Sequence, residues 1–306
     1  MCVSRVRSEG REQMRAIRVF GSFVYMTAVI FFCLCISAGP LCISTINNVI
    51  VGRTVSSRVL DEVYRVWPEV SYEQMEAIEK GITESDALQR LTGDLLDAMA
   101  EEAAMEETAE NAEMAEPAGW SGNEADIFLA DKTVEELKEG VYSEVIKGMG
   151  ELPTEEQKTV LEDGIEIQVN IIASGLKTVA AGILGDVYLP VNGPLRLYAA
   201  LTSLQAKAAS FLFLFAGAAA ILWAGRQGAG GLRLLGWDSM DAGLLTGAAI
   251  PFAISASARF LTNRILGRTV GITLTPLLFC GGIVFAVGLL LLALAYVLQK
   301  RRSGRL

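Results

Sequence analysis

Ser174 and Lys177 stand three residues apart, the spacing at which a lysine one helical turn away can take the proton of a serine nucleophile. Enzymes that use this pair also carry Ser-Asp-Asn and Lys-Thr-Gly elements. This sequence has neither, since Lys177-Thr178-Val179 lacks the glycine. Nor does it contain a histidine. Ser-His and Cys-His hydrolases, His-Glu-x-x-His metallopeptidases and Glu-x-x-His di-iron bundles are thereby excluded. Ser174 and Lys177 read as helix surface, and the sequence points to no enzyme.

Carboxylates are the other groups with chemical potential. Asp94, Asp97 and Glu101 fall on one helical face, and Glu102, Glu106, Glu110 and Glu113 on another. Oxygen-rich rows can gather Ca²⁺ or Mg²⁺, but a shaped site needs backbone carbonyls and a turn, and no Asp-x-Asp-x-Asp-Gly loop is present. The expectation is a solvated acidic face, with Asp94, Asp97 and Glu101 its weak metal candidates and no cofactor. Gly225 to Gly231 lacks both the Gly-Lys-Ser/Thr ending and the Gly-x-Gly-x-x-Gly spacing of a phosphate cradle, and reads as a flexible turn.

The elements that would position these groups follow from charge and hydropathy. Hydrophobic residues make up 52% of the 306 positions, high for a soluble chain. Residues 50 to 207 hold 31 Asp+Glu against 12 Lys+Arg, a net of −19, while the remainder holds 4 acids and 14 bases. Such an acidic middle argues against nucleic acid as a ligand, because phosphates are repelled. None of the five cysteines lies between 43 and 279, and there is no Asn-x-Ser/Thr acceptor site. Both absences fit a bacterial envelope protein.

Four apolar runs suit membrane-spanning helices of about 20 residues. The expected order is a basic cytoplasmic N-terminus at 1–18, a first span at 19–38 and an acidic helical extracytoplasmic domain at 39–207. A second span at 208–225, a cytoplasmic loop at 226–241, a third span at 242–258 and an outer loop at 259–275 follow. A fourth span at 276–298 and a basic cytoplasmic tail at 299–306 close the chain. Arg5, Arg7, Arg11, Arg15 and Arg18 put the N-terminus inside, and Lys300, Arg301, Arg302 and Arg305 do the same for the C-terminus. Pro40, directly after the only small-x-small site, favours an uncleaved signal anchor in the cell membrane. The outer loop departs from the charge rule with Arg259, Arg264 and Arg268, a basic surface placed to meet lipid phosphates or the acidic domain.

The fold class is all-α. Ser71–Gln74, Thr133–Glu136 and Thr154–Gln157 each have capping-box spacing. Arg58 to Trp67 reads as a helix stopped by Pro68. Ala98 to Glu116 reads as an exposed helix followed by a linker at Pro117–Asn123. Leu161, Ile165, Val169, Ile172, Leu176, Val179 and Ile183 form the clearest apolar stripe, suited to an antiparallel bundle. Leu195 to Gly225 reads as one unbroken helix passing from this domain into the bilayer, whereas Pro40 and Leu41 to Gly52 read as a less regular entry. Ala216, Ala220 and Ala224, Gly243 and Gly247, and Gly282 and Ala286 are small residues four apart that let helix backbones approach. No ionisable residue falls in the middle of a span so drawn, and no inverted repeat is visible, so ion pumps lose weight. The partners expected are the lipid bilayer and either a protein or a second copy. The expected role is sensing, regulation or scaffolding through the outer domain, with a pore or exporter subunit as the alternative.

Overall fold

A computed structural model of the chain describes residues 2–112, 130–150, 153–184, 192–225, 229–266 and 272–303. Among them there is no strand, and four helices are long and apolar enough to cross a membrane: Met14–Ile46, Leu204–Ala224, Gly230–Ser257 and Thr275–Arg301. The protein is an all-α, multi-pass membrane protein. It divides into two compact units, one of residues 42–200 and one of residues 1–41 with 201–306.

The 42–200 unit is a helical bundle: α2 (Gly52–Val66), α3 (Tyr72–Glu84), α4 (Asp86–Ala112), α5 (Asp131–Met149), α6 (Glu155–Leu184) and most of α7 (Asn192–Thr202). Helix α5 packs on α3, α4 and α6, and α2 packs on α3 and α6. Val55, Val59 and Val63 of α2 meet Ile78 and Ile82 of α3, Leu88 and Leu91 of α4, Leu137, Val141 and Val145 of α5, and Leu161 and Ile165 of α6 in one core. All of these lie at helical spacing, so each helix buries one stripe. On α6 the stripe runs Leu161, Ile165, Val169 and Ile172 and continues through half-buried Leu176 to Ala180. Val179 is 59% exposed and does not belong to it. The side chain of Ile183 lies outside the described residues.

Two of the three expected capping boxes form. Ser71 Oγ accepts from the Gln74 amide at 3.2 Å while Gln74 Oε1 accepts from the Ser71 amide at 3.0 Å. Gln74 Nε2 also donates to the Met149 carbonyl at 2.8 Å, so the start of α3 caps the end of α5. Thr154 and Gln157 repeat the reciprocal pair at the start of α6. The Thr133–Glu136 box does not form. Helix α5 begins at Asp131 with Ala130 as its cap, which leaves Thr133 inside the first turn, buried, with its hydroxyl donating to Asp94. Helix α2 stops before Pro68 as expected, at Val66. Helix α4 runs to Ala112, and the linker at Pro117–Asn123 lies outside the described residues.

The other unit comprises α1 (Cys2–Ile46) up to Leu41, with α8 (Leu204–Ala224), α9 (Gly230–Leu244), α10 (Ile250–Leu266) and α11 (Thr275–Ser303). A π-helical turn, Leu245–Ala249, joins α9 to α10. The expected 226–241 loop is therefore helix from Gly230 onward, and α10 extends to Leu266, into the expected 259–275 loop. Outward-facing positions are strongly apolar, with Phe20, Leu212, Phe252, Phe279 and Leu290 all at least 68% exposed. In water, patches of this kind would drive association; a hydrocarbon surround removes that cost.

Helix α9 and its π turn lie antiparallel on α11 along a glycine seam. A Cβ on Gly243 would fall 2.6 Å from the Phe285 amide nitrogen, and one on Gly236 or Gly288 would fall within 3.0 Å of the opposite backbone. Gly247 and Gly281 face each other at similarly close range. Gly243 and Gly247 thus lie in the seam. Gly282 and Ala286 do not: Gly282 faces open space, both are exposed, and α11 presents Gly281 and Gly288 instead. On α8 the close approach is made by Gly217, where a Cβ would sit 2.8 Å from the Tyr25 amide of α1. Ala216 is exposed, Ala220 touches the Gly21 position of α1, and Ala224 is buried.

The expected continuity of Leu195–Gly225 is overturned. Ser203 is extended, and its Oγ accepts from the Ala206 amide at 3.1 Å, capping α8 and separating it from α7. By contrast, α1 runs through Pro40 to Ile46 without a break.

Substituting leucine at Gly243 should destabilise the helical fold by about 1–3 kcal/mol or more through overpacking against backbone. The same change at Gly282 should remain within about 0.5 kcal/mol of the parent. Thermal unfolding followed by circular dichroism in one detergent decides this, and equal losses at both positions would displace the seam from where it is drawn.

Candidate functional site

Extension of α9 back to Gly230 brings Asp238 and Ser239 into the helix, and both are buried; Asp238 is only 6% exposed. Ser22 Oγ of α1 donates to Asp238 Oδ2 at 2.6 Å. Ser239 Oγ donates to the Leu235 carbonyl one turn back, also at 2.8 Å, so its hydroxyl proton is spent. The Tyr25 hydroxyl, 2.8 Å away, is then the donor to Ser239 Oγ. Two parallel side-chain links thus tie α1 to α9. They sit beside an apolar core of Tyr25, Val29, Cys33, Ile221, Leu235 and Ala242.

One turn before Ser22, Arg18 closes the end of this arrangement. Its Nε and Nη2 donate to the Ala224 carbonyl at 3.1 and 2.8 Å. Ala224 is the last residue of α8, where carbonyls lack intrahelical donors and the helix dipole is negative, so a guanidinium suits the place. Among the described residues no lysine or arginine forms an ion pair with Asp238.

Sequence reasoning misses this cluster, because Asp238 and Asp241 fall in the expected cytoplasmic loop at 226–241. A legible signal existed in Gly236 and Gly243, seven residues apart, with Leu235, Ser239 and Ala242 at 4- and 3-residue steps. That double pattern marks a helix packed on two sides.

Within the bundle, the carboxylates Asp94, Asp97 and Glu101 do not converge. Asp94 is engaged by Thr133 of α5, Asp97 accepts from the Tyr198 hydroxyl of α7 at 3.0 Å, and Glu101 is exposed. The first two tie neighbouring helices to α4. Burial first, then the charge of Asp97, pushes the Tyr198 hydroxyl well above the ordinary tyrosine value.

Ser174 and Lys177 line the end of a groove of about 370 Å³ between α5 and α6. Val134, Val169 and Ala173 form its apolar floor, and Asp131, Glu135, Lys138, Glu166 and Asn170 its polar rim. Lys138 Nζ bridges Glu135 at 2.9 Å and Glu166 at 3.1 Å, and these hydrogen bonds hold its ammonium above the usual lysine value. Of the basic residues 259, 264 and 268, Arg259 is exposed on α10 and Arg264 lies in the same helix, while Arg268 is outside the described residues.

Architecture and site together define an all-α multi-pass membrane protein with a separately cored helical bundle and a polar seam among its membrane helices. No known protein family, curated protein or solved structure matches this chain.

The raised Tyr198 value sets a pH dependence. A phenol held neutral in the fold contributes stability that is complete below about pH 10, the unfolded value, and is lost as pH rises through the folded value. Alkaline unfolding should therefore steepen above about pH 10. Tyr198→Phe should flatten that limb while costing about 1 kcal/mol at neutral pH for the lost hydrogen bond. Tyr142, raised mainly by burial, should leave a residual slope in the variant.

Proposed function

We propose that this is a non-enzymatic membrane protein of bacterial type whose acidic bundle, α2 to α7, lies outside the cell membrane and binds a partner or ligand there. The role is sensing, regulatory or scaffolding, and both termini face the cytoplasm. The observation that carries this reading is the α5–α6 groove. It has an apolar floor and a rim of both charge signs, the form in which an interface patch excludes water while fixing orientation. Elsewhere in the bundle three polar pairs join neighbouring helices: Asp94 with Thr133, Asp97 with Tyr198, and Arg90 with Glu136 at 2.8 Å. Orientation rests on charge, since five arginines lie within residues 1–18, ahead of the first apolar run, and Lys300, Arg301, Arg302 and Arg305 follow the last. A protein or a second copy of this chain fits the groove better than nucleic acid, given the net of −19 between residues 50 and 207.

A second reading, a transport component such as a pore or an exporter subunit, is favoured by one observation. A carboxyl is buried among membrane helices at Asp238, and such groups mark ion or substrate pathways.

Residues 43 to 200 contain no cysteine, so a single cysteine placed at exposed Glu156 reports orientation. It should react with a membrane-impermeant maleimide in intact cells or spheroplasts, and protection there would put the bundle inside. A photo-reactive residue at Asn170 should give a discrete protein adduct, and Lys177→Glu should reduce its yield roughly tenfold, about 1.4 kcal/mol of partner affinity. Adducts to lipid alone would remove the binding reading.

A further inference from the structure

We propose that Asp238 is a proton-binding site, and that the proton it holds keeps α1 closed on α9. The inference stands apart from both functional readings above, because it concerns the membrane unit alone. Four observations support it. Asp238 is more than nine-tenths buried, on a helix long and apolar enough to cross a membrane. Its Oδ2 is engaged by Ser22 at 2.6 Å, which leaves Oδ1 to carry a proton. The adjoining Tyr25–Ser239 link, at 2.8 Å, closes the same contact with neutral groups only. No cation is paired with the carboxyl among the described residues, although a buried carboxylate needs one.

The charged and titratable groups around Asp238 can be taken helix by helix. Helix α1 brings Tyr25, bonded to Ser239, and Arg18, whose guanidinium is bonded to the Ala224 carbonyl. Helix α9 itself brings Asp241 three residues on and Arg233 five residues back. Facing α9, α11 presents Phe285, Gly288 and Leu292, and it has no ionisable group from Thr275 to Leu298 apart from Cys280 and Tyr296. Helix α8 contributes Ile221 to the shared core, and its only charge, Lys207, lies almost four turns away from that residue. Among the described residues, nothing placed against the carboxyl therefore replaces the proton as its counter-charge. Asp241 has the same sign and cannot serve as that counter-charge. When the proton leaves to solvent, the carboxylate requires water or a cation, and the Ser22 and Tyr25 links must part to admit it.

The test uses the full-length protein in phosphatidylcholine nanodiscs, with infrared spectroscopy of the carboxylic C=O stretch and thermal unfolding across pH. Wild type should show a protonated-carboxyl band at pH 7 that Asp238→Asn removes. Asparagine preserves shape and neutrality, so this variant should unfold close to wild type at pH 7 and lose the decline that wild type shows as pH rises. Should Asp238→Asn assemble poorly, Ser22→Ala retains the carboxyl and removes a donor that favours its charged form. It should shift the decline toward higher pH, about tenfold in proton concentration. The proposal is overturned if the band persists in Asp238→Asn, if that variant falls as far as Asp238→Ala at every pH, or if sodium rather than protons moves the transition.

Discussion

Backbone-to-backbone approach at glycine is the constraint on which the membrane unit depends. Hydrocarbon surrounds give helices no hydrophobic reason to associate, so contact must come from dispersion and hydrogen bonds at short range. At Gly243, Gly281 and Gly288 any side chain would overlap the opposite backbone, and at Gly247 a Cβ would sit 3.3 Å from the Gly281 Cα. That seam fixes which face of α9 meets α11. Leu235, Ser239 and Ala242 then lie about one quarter-turn or more around the cylinder and are turned toward the core shared with α1. Close approach on one side therefore brings Asp238 and Ser239 within hydrogen-bonding reach of Ser22 and Tyr25 on the other. A helix displaced outward by a single methyl group would leave those polar atoms unsatisfied in an apolar surround, which is costly.

Different physics holds the bundle. There the cores of α2 to α6 are built from branched aliphatics at helical spacing, and their burial from water supplies the cohesion. Polar contacts between helices are specific rather than strong. Arg90–Glu136 and Lys138–Glu166 are exposed pairs, which water and salt screen. Gln74 is more consequential, because one side chain completes the cap of α3 and takes a terminal carbonyl of α5. Gly52 marks the place where α1 passes through a π turn, Asn47–Val51, into α2. A Cβ there would lie 2.7 Å from the Asn47 carbonyl oxygen and 2.9 Å from Thr83, so only glycine fits that close turn.

Much of this was legible in the chain, and the exceptions share a cause. Periodicity predicted the Leu161–Ile172 stripe because each of those side chains needs burial whatever its partner. Capping spacing predicted Ser71–Gln74 and Thr154–Gln157, where extended chain precedes the helix. It failed at Thr133, because Asp94 on another helix offers that hydroxyl a better acceptor and helix formation starts two residues earlier. The acidic face of Asp94 and Asp97 likewise looked solvated, since Thr133 and Tyr198 are distant in sequence and their contacts with it depend on packing. Gly282 and Ala286 had the right size and spacing, but small residues mark two faces of α11, and only the register with α9 selects Gly281 and Gly288. Asp238 was hidden by the convention that charges end a span.

The same limitation applies to the expected break at Pro40 and the expected continuity of Leu195–Gly225. A serine in a run of helix formers gives little warning of a break, yet the Ser203 hydroxyl oxygen accepts a hydrogen bond from the Ala206 amide and starts α8 anew. A proline gives strong warning, yet Pro40 removes only one donor from a helix whose flanking turns stay bonded, and apolar surrounds penalise unwinding more than water does. The medium thus reverses the usual reading of both residues. Backbone hydrogen bonding passes unbroken along α1 and through the π turn into α2, whereas the return from α7 to α8 is interrupted by a cap. Unbroken helix is thus found in α1, from Cys2 to Ile46, and not in the stretch from Leu195 to Gly225.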